Sequence, residues 1–294
     1  TDYSRNQLGR PIGNLNRAEF TELANNTADK YYIYQYSAHQ MLWLFATVEY
    51  ATKNIQTPQS AILTPEGYKT GGLGIGACRY PDYYGYEAFF APQGGIPSIP
   101  CGVTTMLGNN SGAVYFLQKN VPISSNGSGA SIEYTEWGDV YWHCISYRGV
   151  EHPFGHGHKV ADGINIMTEH ISGEGSETLV DVSYYVQTNP FYTHNENNNK
   201  GYKPLGTYRY TTHIREVSSI MAQPDAITLP INAVGGDYNR YYCDANEYKK
   251  QTSDVHYLAL GGRFSSSQFS GFLFHYADYS VVQLTRKPTY VTRI

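Results

Sequence analysis

Apolar positions recur at helical spacing in only two stretches of this 294-residue chain. The stronger is 37–53, where Met41, Leu44, Phe45, Val48 and Ala51 follow the i, i+3, i+4, i+7 rhythm of a helix burying one stripe. Ser37 stands where an N-cap belongs, and Gln40 three residues on completes a capping-box pattern. The spacing predicts a helix that packs its Met41, Phe45 and Val48 face onto a sheet. A weaker helix is expected over 17–25, capped by Asn14 or Asn16. Elsewhere short β-rich runs stand between Gly, Pro and Asn clusters, at 112–117, 140–147, 163–167, 178–186, 257–261 and 271–275. The stretch 193–201, with Asn195, Asn197, Asn198 and Asn199, reads as an exposed loop. No repeat or linker divides the chain, so one domain over 1–294 is expected, of the α+β class. It should hold two helices, short and mostly antiparallel strands, and long loops.

Composition moves the picture toward a tyrosine-rich, loop-rich protein with an uncharged polar surface. Charged residues are 16%, against about 25% in ordinary soluble domains, while Gly and Tyr each number 29. The net charge is −4 and no basic run occurs, so the positive footprint that nucleic acid requires is missing. The longest apolar stretch, 41–48, is too short to span a bilayer, and no membrane insertion is expected. Cys78, Cys101, Cys144 and Cys243 form no CxxC; they read as buried free thiols, with a Cys78–Cys101 bridge left open by the spacing.

Two stretches invite a chemical reading. His152, His156 and His158 have the closest thing to metal-ligand spacing, since His156 and His158 would share one side of a strand and Glu151 or Asp162 could complete a set. A lone His-x-His is weak evidence, and loop histidines bonded to backbone or solvent are the simpler reading. Gly72, Gly74 and Gly76 lie in a glycine-rich run that Cys78, Arg79, Tyr80 and Pro81 follow, which is no helix start and so no phosphate cradle. No Gly-x-Ser-x-Gly elbow marks a serine hydrolase. No cofactor, no metal and no catalytic residue is expected.

The C-terminal part carries a different signal. Leu258-Ala259-Leu260-Gly261-Gly262-Arg263-Phe264 is a strand-like run ending in a glycine pair, and Gly271-Phe272-Leu273-Phe274 follows after a short loop. Around these lie Arg263, Ser265, Gln268, Phe269, His275, Tyr276, Asp278 and Tyr279, a mixture of aromatic anchors and adaptable polar groups as found in paratopes. These eight are the expected ligand-binding residues, with strand alternation turning half of the 272–275 side chains outward.

Several segments in order resemble the C-type-lectin-fold variable proteins of phages and gut bacteria, many of which are diversified by retroelements. They are Gly9-Arg10-Pro11, Glu49-Tyr50-Ala51-Thr52, Leu107-Gly108-Asn109-Asn110-Ser111-Gly112, Tyr147-Arg148-Gly149-Val150-Glu151, Asp162-Gly163-Ile164-Asn165 and the Gly261-Gly262 to Gly271 block. The resemblance implies a C-type-lectin-like fold and a non-enzymatic receptor-binding protein with a variable C-terminal ligand surface. It implies display on a phage tail or bacterial surface, host attachment through a cell-surface protein or glycan, and a homo-oligomer or larger particle as carrier. Formylglycine-generating enzymes share that fold, so a metal-dependent enzyme of their kind, using the histidines, is the alternative. Against it, 154–162 lacks their usual tryptophans, and no cysteine lies beyond Cys243.

Overall fold

The computed structural model describes residues 15–27, 31–52, 55, 102–127, 132–153, 158–173, 178–187, 196–211, 215–222, 227–234, 245–248, 254–261, 271–277, 280–282 and 291–293. The α-helices among the described residues are α1 (Arg17–Thr27) and α2 (Tyr36–Tyr50). The strands begin with β1 (Tyr31–Ile33), β2 (Gly112–Asn126), β3 (Glu133–Tyr147), β4 (Val150–Glu151), β5 (Lys159–Ser172), β6 (Leu179–Gln187) and β7 (Tyr202–Thr211). They continue with β8 (Arg215–Ala222), β9 (Thr228–Val234), β10 (Ala245–Tyr248), β11 (His256–Leu260), β12 (His275–Ala277) and β13 (Val291–Arg293). Two helices beside mostly antiparallel strands give an α+β architecture, as the patterning predicts.

Helix α1 starts where its sequence says. The Asn16 side chain accepts from the Glu19 N–H at 3.0 Å while Glu19 accepts from the Asn16 N–H at 2.8 Å, a reciprocal cap that satisfies two orphan donors. Helix α2 departs from expectation. Its N-cap is Gln35, not Ser37, and no side chain caps it. Gln40, expected in a capping box, instead takes the Thr228 N–H at 3.3 Å. The buried face is Tyr36, His39, Gln40, Trp43 and Ala46, whereas Met41, Phe45 and Val48 are exposed, Phe45 by 50%. The helix is apolar on both sides, so spacing alone does not choose the buried face. His39 and Gln40 favour it, because on that face they bond the Phe272 carbonyl and the Thr228 amide.

The main sheet has eight strands in the order β7-β6-β5-β11-β12-β10-β8-β9. It coils until its two outer strands approach, and side chains rather than a backbone ladder join them. The Tyr210 hydroxyl on β7 donates to the Pro230 carbonyl on β9, and the Tyr208 hydroxyl meets the Met221 sulfur on β8 at 3.5 Å. Pro230 cannot donate to a neighbouring strand, which fits its place on an edge.

The inner side of the coil holds the main core, with Ile164, Ile166, Val180, Val182, Tyr184, Tyr210, Leu229, Tyr248, Leu258 and Leu260 packed around Tyr34 and Tyr36. Strand β6 alternates buried and half-buried along its length, so only one of its faces is covered. Strand β11 is buried at every position: Leu258 and Leu260 face the main core, while Tyr257 and Ala259 pack with Phe20 and Ala24 of α1. A third cluster joins Trp43 and Ala46 of α2 to Ile55, to Ile145 and Tyr147 of β3, and to Phe272 and Leu273. The long β2–β3 ribbon is thereby seated on the body by its base.

The Asp162-Gly163-Ile164-Asn165 segment is a local break in β5. Leu258 pairs with Ala161 and Tyr257 with Asn165, so residues 162–164 bulge out of the ladder. Gly163 sits at φ +80°, and a Cβ there would come within 3.0 Å of the Gln35 amide oxygen. Into this break reaches the fully buried Arg17, donating to the Asn165 side chain at 2.7 Å and lying 4.0 Å from the Asp162 carboxylate. Asn165 in turn donates to Asn199 at 3.0 Å, and Asn197 accepts from the Val255 N–H. The asparagine-rich stretch is thus exposed, as expected, yet tied down by its amides over 196–201.

Reversal of the α2 face has a direct consequence for stability. Phe45→Ala should change unfolding free energy by less than about 0.5 kcal/mol, as exposed substitutions do. Trp43→Ala should cost about 3–5 kcal/mol through the cavity it leaves. Urea denaturation of the two variants checks the ordering.

Candidate functional site

Of the eight ligand-binding residues expected from sequence, Arg263, Ser265, Gln268, Phe269, Asp278 and Tyr279 lie outside the described residues. The other two are placed. His275 is 0% exposed and offers no surface; its ring stands edge-on to Tyr36 at 5.9 Å and tilted against Tyr184 at 6.3 Å. Tyr276 is half-buried and stacks on His158, with ring centroids 5.0 Å apart. The alternation argument assumed that one side of this strand meets solvent. Strand β12 instead lies inside the sheet, between β11 and β10, and side chains cover both its faces.

The ends of the stretch that carries Arg263, Ser265, Gln268 and Phe269 are fixed. Gly261 turns the chain at φ +84°, a conformation that favours glycine, and its N–H reaches the Phe274 carbonyl at 3.3 Å. The Phe274 N–H donates to the Gly271 carbonyl at 3.2 Å, closing the return turn. Leu258 and Leu260 before the stretch, and Phe272 and Leu273 after it, are completely enclosed.

The described histidines do not assemble as a metal set. His158 stacks between Phe274 and Tyr276, and His152, at φ +48°, donates its backbone N–H to the Ile145 carbonyl at 2.8 Å. His156 lies outside the described residues. Glu151 is occupied by the Gly102 N–H at 2.8 Å and by the Thr104 N–H and hydroxyl at 2.7 and 2.8 Å, and Asp162 belongs with Arg17. Among the described residues no three His, Cys, Asp or Glu side chains converge as metal ligands. Cys144 is a free, buried thiol; the other three cysteines lie outside the described residues.

A second gathering of titratable groups was not visible in the sequence, because its members come from four elements. His39 of α2 is the centre. Its Nε2 lies 2.6 Å from the Phe272 carbonyl and its Nδ1 2.9 Å from the Tyr34 hydroxyl. A carbonyl can only accept, so Nε2 carries the proton and Nδ1 accepts from Tyr34, a neutral ring with both nitrogens satisfied. Burial pushes its pKa down to about 3, partly offset by the bond to the Phe272 carbonyl, while the nearby Lys159 charge adds a smaller downward push. His275 is pushed to about 3 by burial and by the field of His39, and neither of its ring nitrogens has a hydrogen-bond partner among the described residues. Burial likewise lowers His152, to about 4, and Lys159, to about 7.

Around this gathering lie tyrosine hydroxyls that complete the inner lining. Tyr36 donates to the Thr228 carbonyl at 2.8 Å, and the Tyr184 and Tyr248 hydroxyls bond each other. Burial raises the pKa of all of them, so they stay neutral.

Exposed aromatics gather on the ribbon. Tyr115 projects from β2, and Trp137 of β3, 45% exposed, meets Tyr134 edge-on at 5.8 Å. Tyr134 pairs with Ser125 and Glu136 with Ser124, so Thr135 is an extra residue; this bulge lets two aromatics three apart in sequence meet. No helix among the described residues is long and apolar enough to cross a membrane. No family model, curated protein or solved structure matches the chain.

Lys159 gives a test with a definite sign. Its folded pKa, about 7, lies below the ordinary 10.5, so between these values the unfolded chain binds more protons and stability rises with pH. Thermal unfolding followed from about pH 7 to about pH 9 should show that rise in the wild type and not in Lys159→Met.

Proposed function

We propose that the chain is a non-enzymatic recognition domain of the C-type-lectin type, displayed on a phage tail or bacterial surface to bind a host surface protein or glycan. The observation that carries this reading is the way the stretch 262–270 is mounted. It leaves from Gly261 and returns at Gly271, both buried and hydrogen-bonded to the Phe274 backbone, between strands at the centre of the sheet. A rigid frame under a segment rich in contact-capable side chains lets those residues vary without loss of the fold, and it limits the entropy lost when they bind. Arg263, Ser265, Gln268 and Phe269 lie in that segment, and Asp278 and Tyr279 follow β12 directly. His275 belongs to the frame, and Tyr276 to its edge.

Affinity in this reading comes from Phe269 and Tyr279 as anchors, with Arg263, Ser265, Gln268 and Asp278 as polar neighbours. Multivalent display would strengthen weak single contacts. The exposed Tyr115 and Trp137 are further aromatic side chains of the ribbon available to the carrier or to the target.

The test begins by probing the labelled chain against a glycan array and a panel of bacterial cells. Alanine at Arg263, Phe269 and Tyr279 should abolish or redirect whatever binding the wild type shows, with the melting temperature held within a few degrees. A triple-alanine variant that keeps full binding would place the ligand surface elsewhere.

A further inference from the structure

His39 and His275 form a joint rather than a surface. His39 ties α2 to the turn at 271–274 through the Phe272 carbonyl, and it ties the same helix to Tyr34 ahead of it. Its ring also stands edge-on to Phe272 at 5.3 Å. His275 enters from β12 and wedges between Tyr36 of α2 and Tyr184 of β6. The titratable groups facing the pair are Tyr34 and Tyr36 from the start of α2, Tyr184 from β6 and Lys159 from β5. The charges acting on the pair are Lys159 on His39 and His39 on His275, and both disfavour protonation.

We propose that this histidine pair is an acid-sensitive latch: protonation separates α2 from the 271–274 turn while the rest of the sheet stays folded. The latch does not depend on the recognition reading above.

The physical argument is one of neutral and charged states. Both rings fit their sites only as neutral imidazoles: His39 with one donor and one acceptor in use, His275 with no partner for either nitrogen. Their folded pKa values, about 3, lie below the ordinary 6.5. The stability they confer is therefore complete above 6.5 and is lost as pH falls toward 3. Lys159 takes its proton first, near pH 7, so the joint already holds one positive charge when the histidines are challenged. Opening lets both imidazoles reach water and gain protons. The open state is thus favoured about tenfold per pH unit below 6.5 for each ring.

Opening here disturbs less than global unfolding would. The joint lies where α2 and the 271–274 turn meet, whereas β5, β6 and β7 are held to one another by long antiparallel ladders that do not involve it. Local openings of this kind sit below the global transition in free energy.

Hydrogen exchange of the intact chain, compared at about pH 7 and about pH 4.5 and corrected for intrinsic rates, tests the latch without any ligand. Protection over 36–44 and 271–277 should fall at least about a hundredfold while 179–187 and 202–211 stay protected. In His275→Phe, which removes a ring that makes no hydrogen bond, the fall should shrink by at least about tenfold. His39→Gln, which keeps a donor and an acceptor, should shrink it likewise, so the test survives if one variant folds poorly. Uniform loss of protection along the chain, or an unchanged fall in both variants, would overturn the proposal. Loss of ligand binding at Phe269→Ala with an intact latch would leave both readings standing, and an intact latch with no effect at Phe269 would sink only the recognition reading.

Discussion

The hydrogen bond from the His39 imidazole to the Phe272 carbonyl is the contact on which the remaining arrangement depends. It lies on the buried face of α2, where His39 donates to the Phe272 carbonyl beside Trp43 and Ala46. With α2 so turned, Trp43 and Ala46 fall onto Ile145 and Tyr147, seating the base of the β2–β3 ribbon, and Tyr36 reaches the Thr228 carbonyl inside the coil. The same bond fixes the turn from which β12 starts, and with it the return of the stretch 262–270. Orientation of one helix, mounting of one segment and attachment of the ribbon thus share a single polar contact in an enclosed site, where an unmade hydrogen bond is costly.

Buried tyrosines explain how so weakly charged a chain holds a polar core. Their rings supply the apolar volume, and their hydroxyls satisfy each other or backbone carbonyls at the sheet's outer strands, as at Tyr184–Tyr248 and Tyr210–Pro230. The carbonyl of Pro230, on an edge strand, is captured by a side chain rather than left open to another chain. A core built this way holds its ionisable groups neutral, and burial accordingly pushes His39, His275 and Lys159 below their ordinary pKa values.

Much of the local structure was legible in the sequence. Asn16 with Glu19 announced α1, and alternating residues from Val180 to Val186 announced β6. The face of α2 was not legible, since apolar residues stand on both sides and the choice rests on a carbonyl more than two hundred residues away in sequence. Strand β7 was missed because most of its residues, Lys203, Pro204, Thr207 and Arg209 among them, stay exposed at the sheet's edge and blur the apolar alternation. At the C-terminal stretch alternation cannot tell an edge strand from an interior one, and so it puts His275 on the surface. The cluster of His39, His275 and Lys159 was hidden for a simpler reason, as its members are joined by topology alone.

The central claim is that a neutral His39 joins α2 to the Phe272 turn. Nitrogen-15 spectra of the histidine side chains at about pH 6 test it most directly. His39 should appear as the neutral Nε2–H tautomer, with a hydrogen-bonded Nε2 proton in slow exchange and no titration near the ordinary 6.5. An imidazolium signal for His39 at that pH, or the Nδ1–H tautomer, would contradict the account.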